Sequence, residues 1–351
     1  LYGCGVVESG CIYEPDRPEY RNVRRVKWLA KGPWTLPDDA RVAQKTLTDV
    51  TSHTAFLAFA MPLIKQPTPL PPPRQPYTID DALDGLFLCK DDCQEILDSL
   101  ARKKNIILQG PPGVGKTFIA RRLAYALIGF LEPAKVEMVQ FHQSYAYEDF
   151  VQGWRPKETG GFERRNGIFY QFCRKAQQDT SSTYVFVIDE INRGNLSKIL
   201  GELMMLIETD KRGPQFAIPL TYSNDLGDRF YVPDNLHIIG LMNTADRSLA
   251  MVDYALRRRF CFLDLKPCFH TAEFQAYLAD RGVEPEVISL IVERMGKLND
   301  AIVTEKSNLG PGFVIGHSFF CPQETEQELD LEWYRSVVVS EIAPLVREYW
   351  F

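Results

Sequence analysis

The apolar run Asn105–Gln109 (NIILQ) leads into Gly110-Pro111-Pro112-Gly113-Val114-Gly115-Lys116-Thr117, and an amphipathic stretch begins directly after it at Phe118. This is the spacing G-x-x-x-x-G-K-[ST] in the strand-to-helix setting that its chemistry needs. Glycines let the backbone wrap a polyphosphate, and its N–H groups together with the helix N-terminus supply partial positive charge. Lys116 is placed to neutralise the β- and γ-phosphates, and the Thr117 hydroxyl to ligate Mg²⁺. A glycine-rich turn without a ligand is the alternative, and the flanking strand and helix argue against it.

The rest of the chain agrees with that demand. Apolar runs of strand length recur at 105–109, 136–142 (VEMVQFH), 184–190 (YVFVIDE), 236–243 (LHIIGLMN) and 260–265 (FCFLDL), alternating with helical patterns. Strands that apolar need cover on both faces, which predicts an α/β fold with a five-stranded parallel sheet between helices. Phe118, Ile119, Leu123, Leu127 and Ile128 recur at helical spacing up to Gly129, a suitable helix-ending residue. Leu196, Ile199, Leu200, Leu203, Met204 and Ile207 trace a second core-facing stripe, read as packing. Beyond Lys266, helical stretches at 271–280, 285–304 and 330–350 predict a small helical C-terminal lid.

Two carboxylates, Asp189 and Glu190, close the YVFVI strand at its C-terminal end, where open α/β sheets bind ligands. Asp189 is expected in the Mg²⁺ shell, and Glu190 as the general base or water-positioning group for attack on the γ-phosphorus. Asn243 ends its apolar strand towards the same edge and suits orientation of the lytic water, with a helix-capping role as its alternative. Asp246 and Arg247 follow, then Arg257, Arg258 and Arg259. An arginine reaching across a subunit interface would stabilise transition-state charge, whereas a solvated helix end is the ordinary reading of such a run.

Residues 66–76 (QPTPLPPPRQP) predict an extended, semi-rigid tether. The expected units are thus 1–65, the tether 66–76, a nucleotide-binding core 77–266 and a lid 267–351. Two insertions, 152–167 and 214–233, read as hairpins. Basic and aromatic residues on such loops can grip nucleic acid, although solvated loops are the plainer reading. A net charge of −6 argues against a broadly basic surface. The eight cysteines lack zinc spacing and are read as reduced thiols of a cytoplasmic protein. The longest apolar run, 55–64, is too short to span a bilayer and is interrupted by Pro62. Because the chain starts at Leu1 with no leader pattern ahead of it, a fragment is expected.

In this order, GPPGVGKT, VFVIDEINR and GLMNTADRS make residues 77–351 resemble the McrB family of AAA+ P-loop NTPases. MVQFHQSYAYEDFVQGWRP, GELMMLIETDKRG, VDYALRRRF and IGHSFF resemble that family more than AAA+ proteins generally. The resemblance implies GTP as substrate, Mg²⁺, a hexameric ring, a McrC-like nuclease partner, and translocation on DNA that carries modified bases. It matches Gly110, Gly115, Lys116 and Thr117 to the phosphate loop, Asp189 and Glu190 to the metal and water carboxylates, and Asn243 to the first sensor. Arg193, Arg258 and Arg259 match arginines near the subunit interface. The stretch Asn243–Asp246 (NTAD) invites comparison with a guanine-reading motif, but its place at a strand end points Asn243 towards phosphate. A MoxR-like ATPase remodelling a protein client is the alternative function. Residues before the tether resemble the end of a PUA-like or EVE-like domain that reads a modified base. Tyr13, Tyr20, Trp28 and Trp34 are its aromatic candidates, with core packing as their alternative. No nuclease constellation is apparent, so cleavage is expected in the partner.

Overall fold

The computed structural model describes residues 3–8, 10, 12–13, 22–37, 50, 53–65, 74–158, 160–223, 228–246, 254–305, 309–322 and 328–350. It divides into two units, Leu1–Arg74 and Gln75–Phe351.

In the first unit, β1 (Gly3–Val7) pairs antiparallel with β4 (Val26–Lys31), and β2 (Ile12–Tyr13) with β3 (Asn22–Val23). Helix α1 (Thr54–Lys65) continues through Pro62, which sits in its last turn. Ala30 and Ala60 are the buried hydrophobic residues among those described in this unit. Two-stranded ribbons leave one face uncovered, and Tyr13 and Trp28 accordingly lie 60% and 50% exposed rather than in a core. Tyr20 and most of the tether, 66–73, lie outside the described residues. The tether's last residues do not hang free: Leu131 N donates to Gln75 O at 2.9 Å and Pro76 bridges Phe130, so both belong to the second unit.

The second unit opens with α2 (Ile79–Leu83), held by a Thr78–Asp81 capping box, and α3 (Lys90–Lys103). Strand β5 (Asn105–Gly110) then delivers the phosphate loop to α4 (Lys116–Ile128), which stops at Gly129 in the left-handed conformation. Next come β6 (Val136–Gln140), α5 (Tyr147–Phe150), the hairpin β7 (Gln152–Pro156) and β8 (Phe162–Asn166), and α6 (Ile168–Gln178). Strand β9 (Tyr184–Asp189) is followed by α7 (Leu196–Leu200) and α8 (Leu203–Leu206). The stripe read from Leu196 to Ile207 is therefore two short helices broken at Gly201, although its leucines and isoleucines are buried as expected. A minimal hairpin, β10 (Ile218–Pro219) with β11 (Arg229–Phe230), precedes β12 (Leu236–Asn243), α9 (Tyr254–Arg259) and β13 (Cys261–Asp264).

Strands β13-β5-β12-β9-β6 form one parallel sheet in that order. Alternation along each strand decides its two faces. Tyr184, Phe186 and Ile188 of β9 join a core with the rings of Phe150, Phe169 and Phe172, whereas Val185 and Val187 pack towards α3 and α4. The lid, α10 (Ala272–Asp280), α11 (Pro285–Thr304), α12 (Leu331–Val337) and α13 (Ala343–Tyr349), has its own core around Phe274, Ile291, Phe320 and Trp333. Among the described residues, no helix is long and apolar enough to cross a membrane.

Candidate functional site

Parallel pairing brings the expected residues to one sheet edge. Asn243 is in register with Gly110, where the phosphate loop begins, and β12 lies between the loop's strand and the strand that ends in Asp189. Lys116 folds back into the loop, its Nζ donating to Gly110 O at 2.9 Å and Pro111 O at 2.8 Å. Burial lowers its pKa, while Glu190, Asp189 and Asp246 pull it back up. The cradle is thus a cation facing three carboxylates.

Thr117 Oγ1 lies 3.4 Å from Asp189 Oδ2, and Asp189 Oδ1 accepts from Glu190 N at 3.0 Å. A hydroxyl and a carboxylate oxygen converging in this way fit Mg²⁺, a hard cation with oxygen ligands. These two residues would hold it, and it would supply charge neutralisation between phosphate oxygens.

Glu190 adopts left-handed backbone geometry, φ 51° and ψ 45°, which costs a non-glycine residue on the order of 1–2 kcal/mol. Burial raises its pKa. Arg193 opposes that shift, and Asp246 and Asp189 add to it. A half-buried carboxylate with a raised pKa suits a general base.

Arg193 does not stand free for a neighbouring subunit. Its Nε is 3.2 Å from Glu190 Oε2 and its Nη2 is 3.2 Å from Asp246 Oδ2, so it bridges two carboxylates of its own chain. Asp246 thereby joins the site through Arg193. Asn243 Oδ1 accepts from Ala245 N at 3.1 Å and Thr244 N donates to Gly110 O at 3.1 Å, which moors the NTAD turn to the loop. The asparagine thus caps a turn while lying at the phosphate edge. Arg247 lies outside the described residues.

The three consecutive arginines separate cleanly. Arg259, expected near an interface, is instead an internal brace: Nη2 reaches Glu208 at 2.6 Å, Nε donates to Met204 O at 2.6 Å, and the side chain is 11% exposed. Arg257 lies over the Phe262 ring. Arg258 is 74% exposed, with one loose contact to Glu208 at 3.7 Å.

Two features of the site were not legible beforehand. The first is a lid contact on the phosphate loop itself. Gly316 N donates to Pro112 O at 3.0 Å and Ser318 N to Gly113 O at 2.8 Å. A Cβ on Gly316 would lie 2.0 Å from the Gly113 carbonyl, and one on Gly113 (φ 77°) would lie 2.5 Å from the Phe319 ring, so both glycines are required by close approach. The lid thus occupies loop carbonyls and leaves the loop's N–H groups for a ligand.

The second is a cavity of about 650 Å³ beside Val114 and Gly115, bordered by Phe87, Phe118, Arg122, Tyr277 and His317. Phe118 is not on the core stripe of α4. It is 49% exposed, with the Arg122 guanidinium 4.4 Å from its ring centre. A cavity with apolar rings and a few polar groups adjoining the phosphate cradle suits a nucleobase. The signals available in advance were Phe118 directly after the motif and the family-like IGHSFF.

A phosphate-loop strand flanked by the polar-ended β12, with the acid-ended β9 next and a helical lid bonded to the loop, is the arrangement of AAA+ P-loop NTPases. Residues 105–260 match the family described as AAA domain (dynein-related subfamily). Residues 290–351 match the family described as McrB, alpha-helical lid domain. The chain belongs to the McrB family. It is 55% identical over 276 residues to the type IV methyl-directed restriction enzyme EcoKMcrB subunit of Escherichia coli K12, covering 78% of this chain and 60% of that protein. It is 26% identical over 202 residues to the type II restriction enzyme BsuMI component YdiS of Bacillus subtilis 168, covering 48% and 58%. A proteasome-associated ATPase of Mycobacteroides abscessus is 33% identical over 119 residues, covering 34% and 19%. The chain spans less than two thirds of the length of each of these relatives.

Proposed function

We propose that this chain is the GTP-hydrolysing motor of a restriction system directed at modified DNA, acting in a ring with a separate nuclease subunit. The similarity to the Escherichia coli methyl-directed subunit carries this reading, because it runs through both the nucleotide core and the lid. Phosphate charge is met by the loop N–H groups and Lys116. Thr117 and Asp189 would hold Mg²⁺, and Glu190 takes the proton from the attacking water, which Asn243 orients. The Arg193–Asp246 pair sets the position of Glu190. In a hexamer, Arg258 of one subunit reaches the γ-phosphoryl of the next. The first unit reads the modified base.

Steady-state GTP and ATP turnover, measured with and without a McrC-type nuclease and methylated duplex, tests the whole reading. The expected result is GTP preference and stimulation by the nuclease. Clear ATP preference with no response to nuclease or DNA would sink it.

The arginine assignment has its own test. Arg258→Ala is expected to lower turnover of the assembled protein by about 10³-fold, the lower end of the range for an arginine supplied in trans. Mixing it with a Glu190→Gln variant should recover part of the activity, since some interfaces then pair an intact glutamate with an intact arginine. Unchanged turnover in the Arg258 variant would remove this arginine from the mechanism.

A further inference from the structure

The base cavity is bordered by one deeply buried imidazole that hydrolysis does not use. His317 lies in the turn His317–Phe320 and is 6% exposed, its ring centre 5.0 Å from that of Phe87 and 5.8 Å from that of Phe274. Its Nδ1 accepts a hydrogen bond from Cys268 N at 3.1 Å. A ring nitrogen that accepts carries no hydrogen, so in the neutral ring the proton sits on Nε2. Burial keeps the ring neutral, with its pKa lowered to about 4. The tautomer is therefore fixed by the backbone.

Among the described residues Nε2 makes no hydrogen bond, yet it is not among the buried polar atoms sealed from solvent. The open space that His317 borders is the base cavity. Of the charged side chains around that cavity, Asp84, Lys266, Asp280 and Arg281 are exposed and solvated, and the half-buried Arg122 is engaged with Asp81 O and the Phe118 ring, which weakens any choice they make between bases. A desolvated donor of fixed direction discriminates far better, because the wrong partner leaves it unmade.

We propose that His317 is the residue that selects guanine over adenine: its Nε2–H donates to O6 of guanine, and the amino group that adenine carries at that place puts donor against donor. Guanine presents acceptors at O6 and N7, whereas adenine presents an acceptor at N7 and a donor at N6. Phe118 and Phe87 offer apolar surface that any purine can use, so the choice falls to this N–H. The proposal rests on the reading of the site as a GTP site and names how that site tells the two nucleotides apart.

Four triphosphates separate the contributions when binding to the full chain is measured by calorimetry: GTP, ATP, inosine triphosphate and 2,6-diaminopurine triphosphate. Inosine keeps O6 and lacks the 2-amino group, and diaminopurine does the reverse. The expected order is GTP and inosine triphosphate tight, diaminopurine and ATP weak. His317→Phe keeps an aromatic ring between Phe87 and Phe274 but has no donor. It should weaken GTP and inosine triphosphate about tenfold, one hydrogen bond's worth, without weakening ATP. His317→Gln, which keeps a donor, should recover part of the loss. If His317→Phe fails to fold, as judged by its thermal melt without nucleotide, the four-nucleotide comparison on the unaltered chain still decides about O6. Diaminopurine binding as tightly as GTP would overturn the proposal, and so would an unchanged GTP-to-ATP ratio in a folded His317→Phe variant. If the unaltered chain binds GTP no better than ATP, the GTP reading itself fails and the base choice falls with it.

Discussion

Glu190→Gln is expected to lower nucleotide turnover by 10²- to 10⁴-fold, the usual contribution of a positioned general base, while leaving nucleotide affinity within a few fold. The substitution preserves shape and removes only the ability to take a proton from water. Affinity is the informative control, because on the proposed reading Lys116 and the loop N–H groups would hold the phosphates whether or not position 190 is charged. Stopped-turnover kinetics alongside equilibrium binding would separate the two. A fall in affinity equal to the fall in turnover would make Glu190 a binding residue instead.

The same carboxylate predicts a pH dependence whose sign can be worked out. Glu190 must be ionised to act, and burial raises its pKa above the ordinary glutamate value. Turnover should therefore fall on acidification at a higher pH than an ordinary glutamate would give, and the residual turnover of Glu190→Gln should lack that limb. Arg193 opposes the shift, so Arg193→Ala should move the limb to still higher pH.

The largest expected effect on stability lies on the far side of the sheet, at Arg212. This guanidinium is 3% exposed and donates to Asn105 Oδ1 at 2.6 Å, to Ile207 O at 3.1 Å, and to the carbonyls of Pro233 and Leu236. Asn105 in turn donates to Ile207 O and Arg259 O, so one buried network joins the starts of β5 and β12 to the segments before and after them. Among the described residues no carboxylate forms an ion pair with Arg212, and burial lowers its pKa to about 10 against the pull of Cys173 and the more distant Asp234. Arg212→Met should destabilise the chain by about 3–5 kcal/mol, because it strips several buried acceptors of their donor at once. At 2–4 °C per kcal/mol for a unit of this size, that is a melting point lower by about 10 °C. A loss under 1 kcal/mol in chemical denaturation would show that water replaces the guanidinium.

These sites were legible to different degrees for physical reasons. The five strands announce themselves because both faces of a parallel sheet are buried, and Val185-Phe186-Val187-Ile188 has no polar residue to spare. The phosphate loop, Asp189 and Glu190 are legible because their chemistry fixes residue type and spacing together. Arg259 is not, since a charge run reads alike whether a side chain meets solvent or turns inward to Glu208. Arg212 lies in the family-like GELMMLIETDKRG, yet nothing local marks an arginine whose acceptors include the Asn105 side chain and backbone carbonyls more than twenty residues away. The break at Gly201 divides an unbroken apolar period, and the helical stripe alone could not locate it.

The backbone bonds from Gly316 and Ser318 to the loop carbonyls have a consequence for timing. A nucleotide held between cradle and lid cannot be released by a gradual swing of the lid, because the first ångström of travel already stretches both bonds. Each is worth about 0.5–1.5 kcal/mol, so the lid moves as a latch with two settings rather than as a spring. On the proposed reading, exchange of spent nucleotide is expected at the frequency with which that latch slips.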